Sequence, residues 1–350
     1  MAERKTERAK QLLIRYIRDR QMKNGAKLPP QNELRRIFHY GATTICSAVN
    51  ALREDGVLEV RDKVGVFVID PDAGGHAGRV VGITMLTGEN NFYYSCLLTS
   101  LQMHLVENGC TVRLFRSSRK AKNGDFLFEI DDFPGLRRSV ESEEIQGLIH
   151  LDDFSHAAIE FIRKKKLPLV FVGSPGGIAE DGVFFDYKKI ISEACRMLKR
   201  SHARRPALFC QATVRPEVEH VFRENFGGAS RIFSCKTFAD EQRVIREILA
   251  MPECERPDWL ICLEDLFALA LACTLARHLT PEKMPGAFVM FDRAAQIHYP
   301  LSKLICCDND LHQFAALGVE SLMKAMMSGK QDIGAVFYFP KISDLSTNLL

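Results

Sequence analysis

Apolar residues in the N-terminal part of the chain change period from helical to strand-like spacing, and Gly and Pro mark the changes. Leu12, Leu13, Tyr16 and Ile17 recur at helical spacing and predict a first helix from about Thr6 to Met22, with Arg8, Lys10, Arg15, Arg18 and Arg20 over its other faces. Asn24-Gly25 ends it. Pro29-Pro30 suits the start of a short second helix, expected to carry Leu34, Ile37 and Phe38 inward. His39-Tyr40-Gly41-Ala42 makes a tight turn, and Thr43 or Thr44 is expected to cap a third helix. That helix keeps Ile45, Val49 and Leu52 on one face and leaves Thr43, Thr44, Ser47 and Asn50 on others. Asp55-Gly56 stops it, and 57–60 and 66–69 alternate as two strands around Arg61-Asp62-Lys63-Val64-Gly65. Helices, turn and hairpin in this order read as a winged helix-turn-helix, with the third helix facing a DNA major groove.

Residues 70–79, DPDAGGHAGR, lack apolar periodicity and read as a flexible linker. From residue 80 onward, short β-branched and apolar runs alternate with helical stretches. VVGITML, CTVRLF, IQGLIHL and LPLVFVG form one set, with a polar excursion after CTVRLF. A second set begins with GVFFD and continues through RPALFC, 231–235, DWLICL and GAFVMFD, while LICCD and AVFYF close the chain. The pattern predicts an α/β region of parallel sheets covered by helices, in two lobes. The expected division is 1–69, 70–79 and 80–350.

Charge adds to this picture. Residues 1–70 hold 14 Lys or Arg against 9 Asp or Glu, whereas the other 280 hold 33 against 35. The basic excess coincides with the winged segment, as counterion-release binding to a phosphate backbone requires. Hydrophobic content of 46% with 26% charged residues suits a globular chain, and no apolar run reaches the ~18 residues that span a bilayer. The polar start MAERKTERAK has no secretory h-region, so a cytoplasmic protein without a membrane partner is expected. Eleven cysteines contain no Cys-x-x-Cys pair and sit mostly in apolar runs, so reduced, buried thiols are expected and no metal site is. Cys306-Cys307 is the only adjacent pair.

LPPQNELRRIFHYGATTICSAVNALREDGVL resembles the DNA-binding domain of the gluconate-repressor (GntR) family. Leu28, Pro29, Glu33 and Leu34 fit its first motif, Thr43, Thr44 and Ile45 its second, Ala48 and Leu52 the helix core, and Gly56, Gly65, Phe67 and Val68 the wing. Asn32, Ala42 and Cys46 replace arginines that in the family usually touch DNA, and Lys63 replaces the first wing glycine. The resemblance implies a double-stranded DNA operator as partner. Candidate contacts are Lys27, Pro30, Gln31, Asn32, Thr43, Thr44, Ser47, Asn50, Lys63 and Gly65.

Ligands of open α/β sheets bind beyond the carboxyl ends of the strands. The residues there include Phe92, Tyr93, Asp152, Ser174, Asp186, Arg215, Glu264, Asp265 and Asp292, a set of rings, carboxylates and an Arg suited to a polyhydroxylated ligand. For Asp152, Asp186 and Asp265, a helix N-cap is the competing role, and for Phe92 and Tyr93 it is lobe packing.

Residues from 80 to about 347 resemble the effector domain of the lactose/galactose-repressor (LacI/GalR) family, itself similar to periplasmic sugar-binding proteins. The landmarks are VGITM with the NFYYS loop, IQGLIHL, KLPLVFVG, the signature at Ser201-His202-Ala203-Arg204-Arg205, PDWLICLED and AFVMFDRA. In that family the aromatic loop and the residues matching Arg215 and Asp292 commonly contact the effector. Glu264 stands where Asn is usual. A GntR-type reader joined to such a sensor is similar to the arabinose-responsive repressors.

The expectation is a ligand-responsive transcriptional regulator, a repressor of carbohydrate-utilisation genes, homodimeric through its sensor, with a carbohydrate effector and no cofactor. Two alternatives stay open. One is a module of the same fold sensing a non-sugar ligand with weakened DNA reading. The other is an enzyme using the α/β region, against which stand the absent Gly-x-Gly-x-x-Gly, Walker A and Gly-x-Ser-x-Gly motifs.

Overall fold

A computed structural model describes residues 2–62, 64–70, 79–85, 92–118, 127–151, 153–173, 181–211, 216–235, 238–263, 265–291, 301, 303–329 and 333–346. The expected linker therefore lies almost wholly outside the described residues, as 71–78.

The N-terminal unit is built from α1 (Ala2–Asp19), α2 (Gln31–Phe38), α3 (Ala42–Glu54) and the hairpin β1 (Leu58–Arg61) and β2 (Gly65–Val68). Helix α1 stops before the expected Met22. Gln21 takes a left-handed φ of 50°, and the Met22 N–H turns back to Ile17 O at 2.9 Å, so the chain closes its own last turn. Pro30 takes the N-cap of α2, and His39, at φ 56°, terminates it. Gly41 is the N-cap of α3, with no side-chain cap; Thr43 and Thr44 lie inside the first turn, contrary to the sequence expectation. Glycine has no side-chain oxygen to offer, and its φ of −67° and ψ of 160° are the extended backbone that an N-cap takes. Ile37 is exposed rather than inward, because Leu34 alone on α2 is fully covered. Ala9, Leu13, Ile14, Ile17, Leu34, Ile45, Ala48, Leu52 and Val57 share one core made only of residues from this unit. The segment before α2 joins the hairpin: Leu28 N donates to Val66 O and Val68 N to Ala26 O, both at 2.9 Å.

The remaining elements are β3 (Val80–Met85), α4 (Phe92–Glu107), β4 (Thr111–Arg116), β5 (Leu127–Phe128), α5 (Leu136–Glu141), β6 (Gly147–His150), β7 (Asp153–Phe154), α6 (His156–Lys164), β8 (Leu169–Gly173) and β9 (Gly182–Phe185). They continue with α7 (Tyr187–Arg200), β10 (Pro206–Gln211), α8 (Pro216–Phe226), β11 (Arg231–Cys235), α9 (Phe238–Ala250), β12 (Trp259–Cys262), α10 (Asp265–Leu275) and β13 (Gly286–Phe291). The chain closes with β14 (Leu304–Asp308), α11 (Leu311–Ser328), β15 (Ala335–Tyr338) and β16 (Lys341–Asp344).

Two six-stranded sheets form two lobes. The first has the order β15-β9-β8-β6-β3-β4 and is parallel throughout. The second has the order β11-β10-β12-β13-β14-β16, parallel except for β16. GVFFD was expected to open the second set, but as β9 it completes the first sheet beside β8, and β15 follows it there. The chain thus passes between the lobes after β9, after β14 and again after β15. Alternation of runs announces parallel strands but carries no information on which sheet receives them. One contiguous core takes in both lobes, with Phe185, Phe314 and Tyr338 meeting where the chain crosses. The ring of Phe185 stacks on that of Phe314 at 4.3 Å.

The polar excursion after β4 is structured where it is described. Phe128, Ile130 and Phe133 are buried in a core with Phe154 and Phe171, and β5 pairs with β7. Cys110, Cys195, Cys262, Cys306 and Cys307 are buried, as expected, but Cys46, Cys254 and Cys273 are exposed. Among the described residues no helix is long and apolar enough to cross a membrane.

Candidate functional site

Two surfaces follow from the fold. On the N-terminal unit, α3 buries Ile45, Ala48, Val49 and Leu52 and leaves Ala42, Thr43, Cys46, Asn50 and Arg53 exposed, with Thr44 and Ser47 half-buried. Four of the exposed positions, Ala42, Cys46, Asn50 and Arg53, recur at three- and four-residue spacing and line one face. Gln31 stands next to it: its side-chain amide donates to Ala42 O and to Cys46 Sγ, tying the start of α2 to the start of α3. Asn32 accepts from Arg35 Nη1 at 3.3 Å. Pro30 and Lys27 are exposed on the approach to α2.

The wing is organised around Phe67. The guanidinium of Arg61 lies 4.6 Å from its ring centroid and the ammonium of Lys27 lies 5.8 Å away. Arg61 also pairs with Glu59 at 2.7 Å. Gly65 has φ 137°, and a Cβ there would lie 2.6 Å from Lys27 Cε. Lys63 lies outside the described residues. Arg61, together with the exposed Arg35, Arg36 and Arg53, was missing from the candidate contacts. Charge on the exposed faces of α2 and the hairpin was the available signal.

The second surface is the rim formed by the carboxyl ends of the strands. Tyr93, half-buried in the first turn of α4, packs edge-on to Tyr94 at 5.4 Å and reaches Phe185 at 6.5 Å. A Cβ on Gly173, at the end of β8, would lie 3.8 Å from Tyr93 Oη, so the ends of β8 and β9 meet around this ring. Asp186 follows β9, and its Oδ1 accepts from Lys189 N at 3.0 Å, the N-cap of α7. Its own N–H donates to Tyr338 O at 2.9 Å. Asp265 opens α10 just beyond β12 and is half-buried. Phe92 opens α4, but its side chain lies outside the described residues, as do Asp152, Ser174, Arg215, Glu264 and Asp292 altogether. The described candidates Tyr93, at the start of α4 after β3, and Asp186, after β9, belong to the first lobe; Asp265 belongs to the second.

Three polar residues that the sequence reading passed over stand at the crossings. Asp308 ends β14, and burial, helped by Asp310, pushes its carboxyl above the usual carboxylate range, with Lys341 opposing. Asp310 caps α11 by accepting from Gln313 N at 3.0 Å. Tyr338 donates its hydroxyl to Gln313 Oε1 at 3.4 Å, and burial with the nearby Asp310 raises its phenol. The post-strand rule that picked out Asp186 applies equally to LICCD and would have found Asp308.

Under the rim of the first lobe, His150 ends β6 and is fully buried. Its Nδ1 lies 2.6 Å from Thr84 Oγ1, and its ring stacks on Phe154 at 3.6 Å. Burial draws its pKa down to about 3, with a backbone hydrogen bond at Asp153 opposing, so the imidazole is neutral. Among the described residues, no group of three or more His, Cys, Asp or Glu could hold a metal ion.

Residues 5–68 match the family described as bacterial regulatory proteins, gntR family. The N-terminal unit is a GntR-family helix-turn-helix domain. Solved structures supply the fold of the rest. A regulatory protein of the LacI family from Chloroflexus aggregans superposes with a TM-score of 0.61 at 17% identity, over 75% of this chain and 96% of that one. The lac repressor dimer bound to operator and the anti-inducer ONPF gives 0.60 at 12%, over 77% and 93%. The Cra transcriptional dual regulator from Pseudomonas putida, in complex with fructose 1-phosphate, gives 0.56 at 16%, over 76% and 98%. No curated protein matches the chain. The two-lobed region therefore has the periplasmic-binding-protein-like fold of LacI-family regulators. Within the GntR domain, Ala42 and Cys46, the positions where the resemblance leads one to expect arginine, lie on the exposed face of α3.

Proposed function

We propose that the chain is a ligand-responsive DNA-binding transcriptional regulator, a repressor whose effector, a sugar or sugar derivative, binds between the two α/β lobes. The observation that carries this reading is the union of a GntR helix-turn-helix with a LacI-type sensor fold in one chain. The division runs at 70–79, between the reader and a sensor that also dimerises. A homodimer would present two α3 helices to two half-sites of a near-palindromic operator. Lys27, Pro30, Gln31, Asn32, Thr43, Thr44, Ser47, Asn50, Lys63 and Gly65 form the DNA face. Phe92, Tyr93, Asp152, Ser174, Asp186, Arg215, Glu264, Asp265 and Asp292 form the effector cleft. Rings and carboxylates on the strand ends suit a ligand with many hydroxyls, and sugar derivatives accompany relatives of the same fold, fructose 1-phosphate in one and lactose in another.

The effector acts through its differential affinity for two lobe closures, which set the spacing of the two readers. The test is a thermal-shift screen against pentoses, hexoses, uronic acids and their phosphates, followed by DNA retardation with and without each hit. A saturable rise with one sugar class, coupled to a change in retardation, supports the reading. Absence of any response sinks the sugar assignment.

A further inference from the structure

The exposed face of α3 has a chemistry of its own. Ala42, Cys46 and Asn50 succeed one another at four-residue spacing, with Thr43 beside them, and all four are exposed opposite the buried Ile45, Ala48, Val49 and Leu52. Through Asn50 this stripe offers a methyl, a thiol, a carboxamide and, in Thr43, a hydroxyl with a methyl; it offers no cation. The eight-step rise from Ala42 to Asn50 covers about 12 Å, or roughly three to four base pairs. Cations stand on the neighbouring elements, Arg35 and Arg36 on α2 and Lys27 and Arg61 around Phe67 on the wing, while Arg53 continues the exposed face of α3 beyond Asn50.

Base edges in the major groove discriminate among these groups. Guanine is read by the forked or charged donors of Arg and Lys at O6 and N7, adenine by the paired donor and acceptor of Asn or Gln at N6 and N7, and the thymine methyl by small apolar groups. Asn50 has the adenine-reading carboxamide. Ala42 and Cys46 present small apolar surface that fits a thymine methyl. Gln31 is oriented by the bonds of its amide to Ala42 O and Cys46 Sγ, which leaves its carbonyl as the acceptor next to the stripe. The neighbouring cations match phosphates, which fix position without reading sequence.

We infer that the half-site under α3 is read as A·T base pairs, with Asn50 on an adenine and Ala42 and Cys46 on thymine methyls, while specific guanine contacts are absent from this stripe. The inference rests on the DNA-binding reading and names the sequence class that the reader takes.

The test is selection of double-stranded DNA from a randomised pool by the full-length protein, run with the wild type, Asn50→Ala and Cys46→Arg. The wild type is expected to enrich a run of A·T pairs in each half-site. Asn50→Ala should lose the preference at one adenine by roughly 10- to 100-fold. Cys46→Arg should acquire a guanine at one position, a readout that a merely structural role for Cys46 would not produce. A wild-type half-site centred on guanine, or variants that select the parental sequence, overturns the inference and leaves DNA binding standing. Failure of the wild type to retain any DNA at low salt overturns the DNA-binding reading itself, and this inference with it.

Discussion

Lys27 fills the space that a side chain on residue 65 would need: a Cβ on Gly65 would lie 2.6 Å from Lys27 Cε, and Gly65 itself sits at φ 137°. The lysine end can swing away, whereas the backbone angle cannot be relieved. Gly65→Ala should therefore destabilise the wing by about 1–3 kcal/mol, and Lys27→Ala in the same chain should restore little of it. Thermal unfolding of the single and double variants checks this; full rescue by Lys27→Ala would place the cost in the contact instead.

Arg61 lies over Phe67 and pairs with Glu59 on an exposed strand of the wing. If it meets a phosphate, Arg61→Gln should weaken binding to every DNA sequence alike and reduce the slope of log K against log salt by about 0.9. Affinity measured across a salt series decides it, and an unchanged slope removes Arg61 from the interface.

His150 is neutral in the folded protein because burial holds its pKa near 3, against 6.5 for the free side chain. Between these values the unfolded chain binds a proton that the folded one refuses. Stability from this group is thus complete above about pH 6.5 and falls as the pH drops toward 3. The loss is about 5 kcal/mol at most. Urea unfolding at pH 7.5 and pH 5 should show a smaller decline for His150→Phe than for the wild type; equal slopes would mean that the imidazole protonates without penalty.

Asp181 is buried, accepts from Ile333 N at 3.0 Å and Gly334 N at 2.8 Å, and pairs with Arg163 at 3.0 Å. It fastens the entry of β15 to the start of β9. Asp181→Ala leaves two donors and a guanidinium without this acceptor and should cost about 2–4 kcal/mol, read as a lowered midpoint in chemical denaturation. Asp181→Asn, with its amide oxygen in the place of Oδ1, should retain both backbone bonds, lose the ion pair with Arg163 and fall between.

Asp186 separates two roles in one side chain. As the cap of α7 it can be replaced by Asn with little loss, whereas Asp186→Ala should cost about 1 kcal/mol. As an effector ligand its charge matters, so Asp186→Asn should keep its melting temperature and lose the sugar-induced rise. A variant that keeps both confines Asp186 to capping.

The reader was legible almost residue by residue because its punctuation is local. Pro30 before α2, Gly25 and Gly56 at turns, and Gly65 in the wing each impose a backbone state on their neighbours. Even there, Gly41 took the cap expected of Thr43 or Thr44, since an extended backbone angle suffices where the first N–H groups stay near solvent. In the two-lobed region, strand identity was legible and sheet membership was not. Val183–Phe185 and Val336–Tyr338 are apolar runs like any other, and their pairing depends on partners more than a hundred residues away for β15. Strand β16, Lys341–Asp344, was missed because only its pairing with β14, and no apolar alternation, marks it. The cleft candidates came from the ends of strands, a rule that finds Asp186 as a helix cap and a possible ligand alike, because one carboxylate serves both.

The repeated crossing between lobes also fixes an order of birth. As the chain leaves the ribosome, β9 has a bare outer edge until β15 arrives, some 150 residues later, and β14 waits likewise for β16. The first lobe is finished only by β15 and the second only by β16, which follow each other within 335–344, so the two lobes mature together. A chain cut before residue 330 would carry two apolar sheets with open edges, and should be recovered as aggregate rather than as a shortened, working lobe.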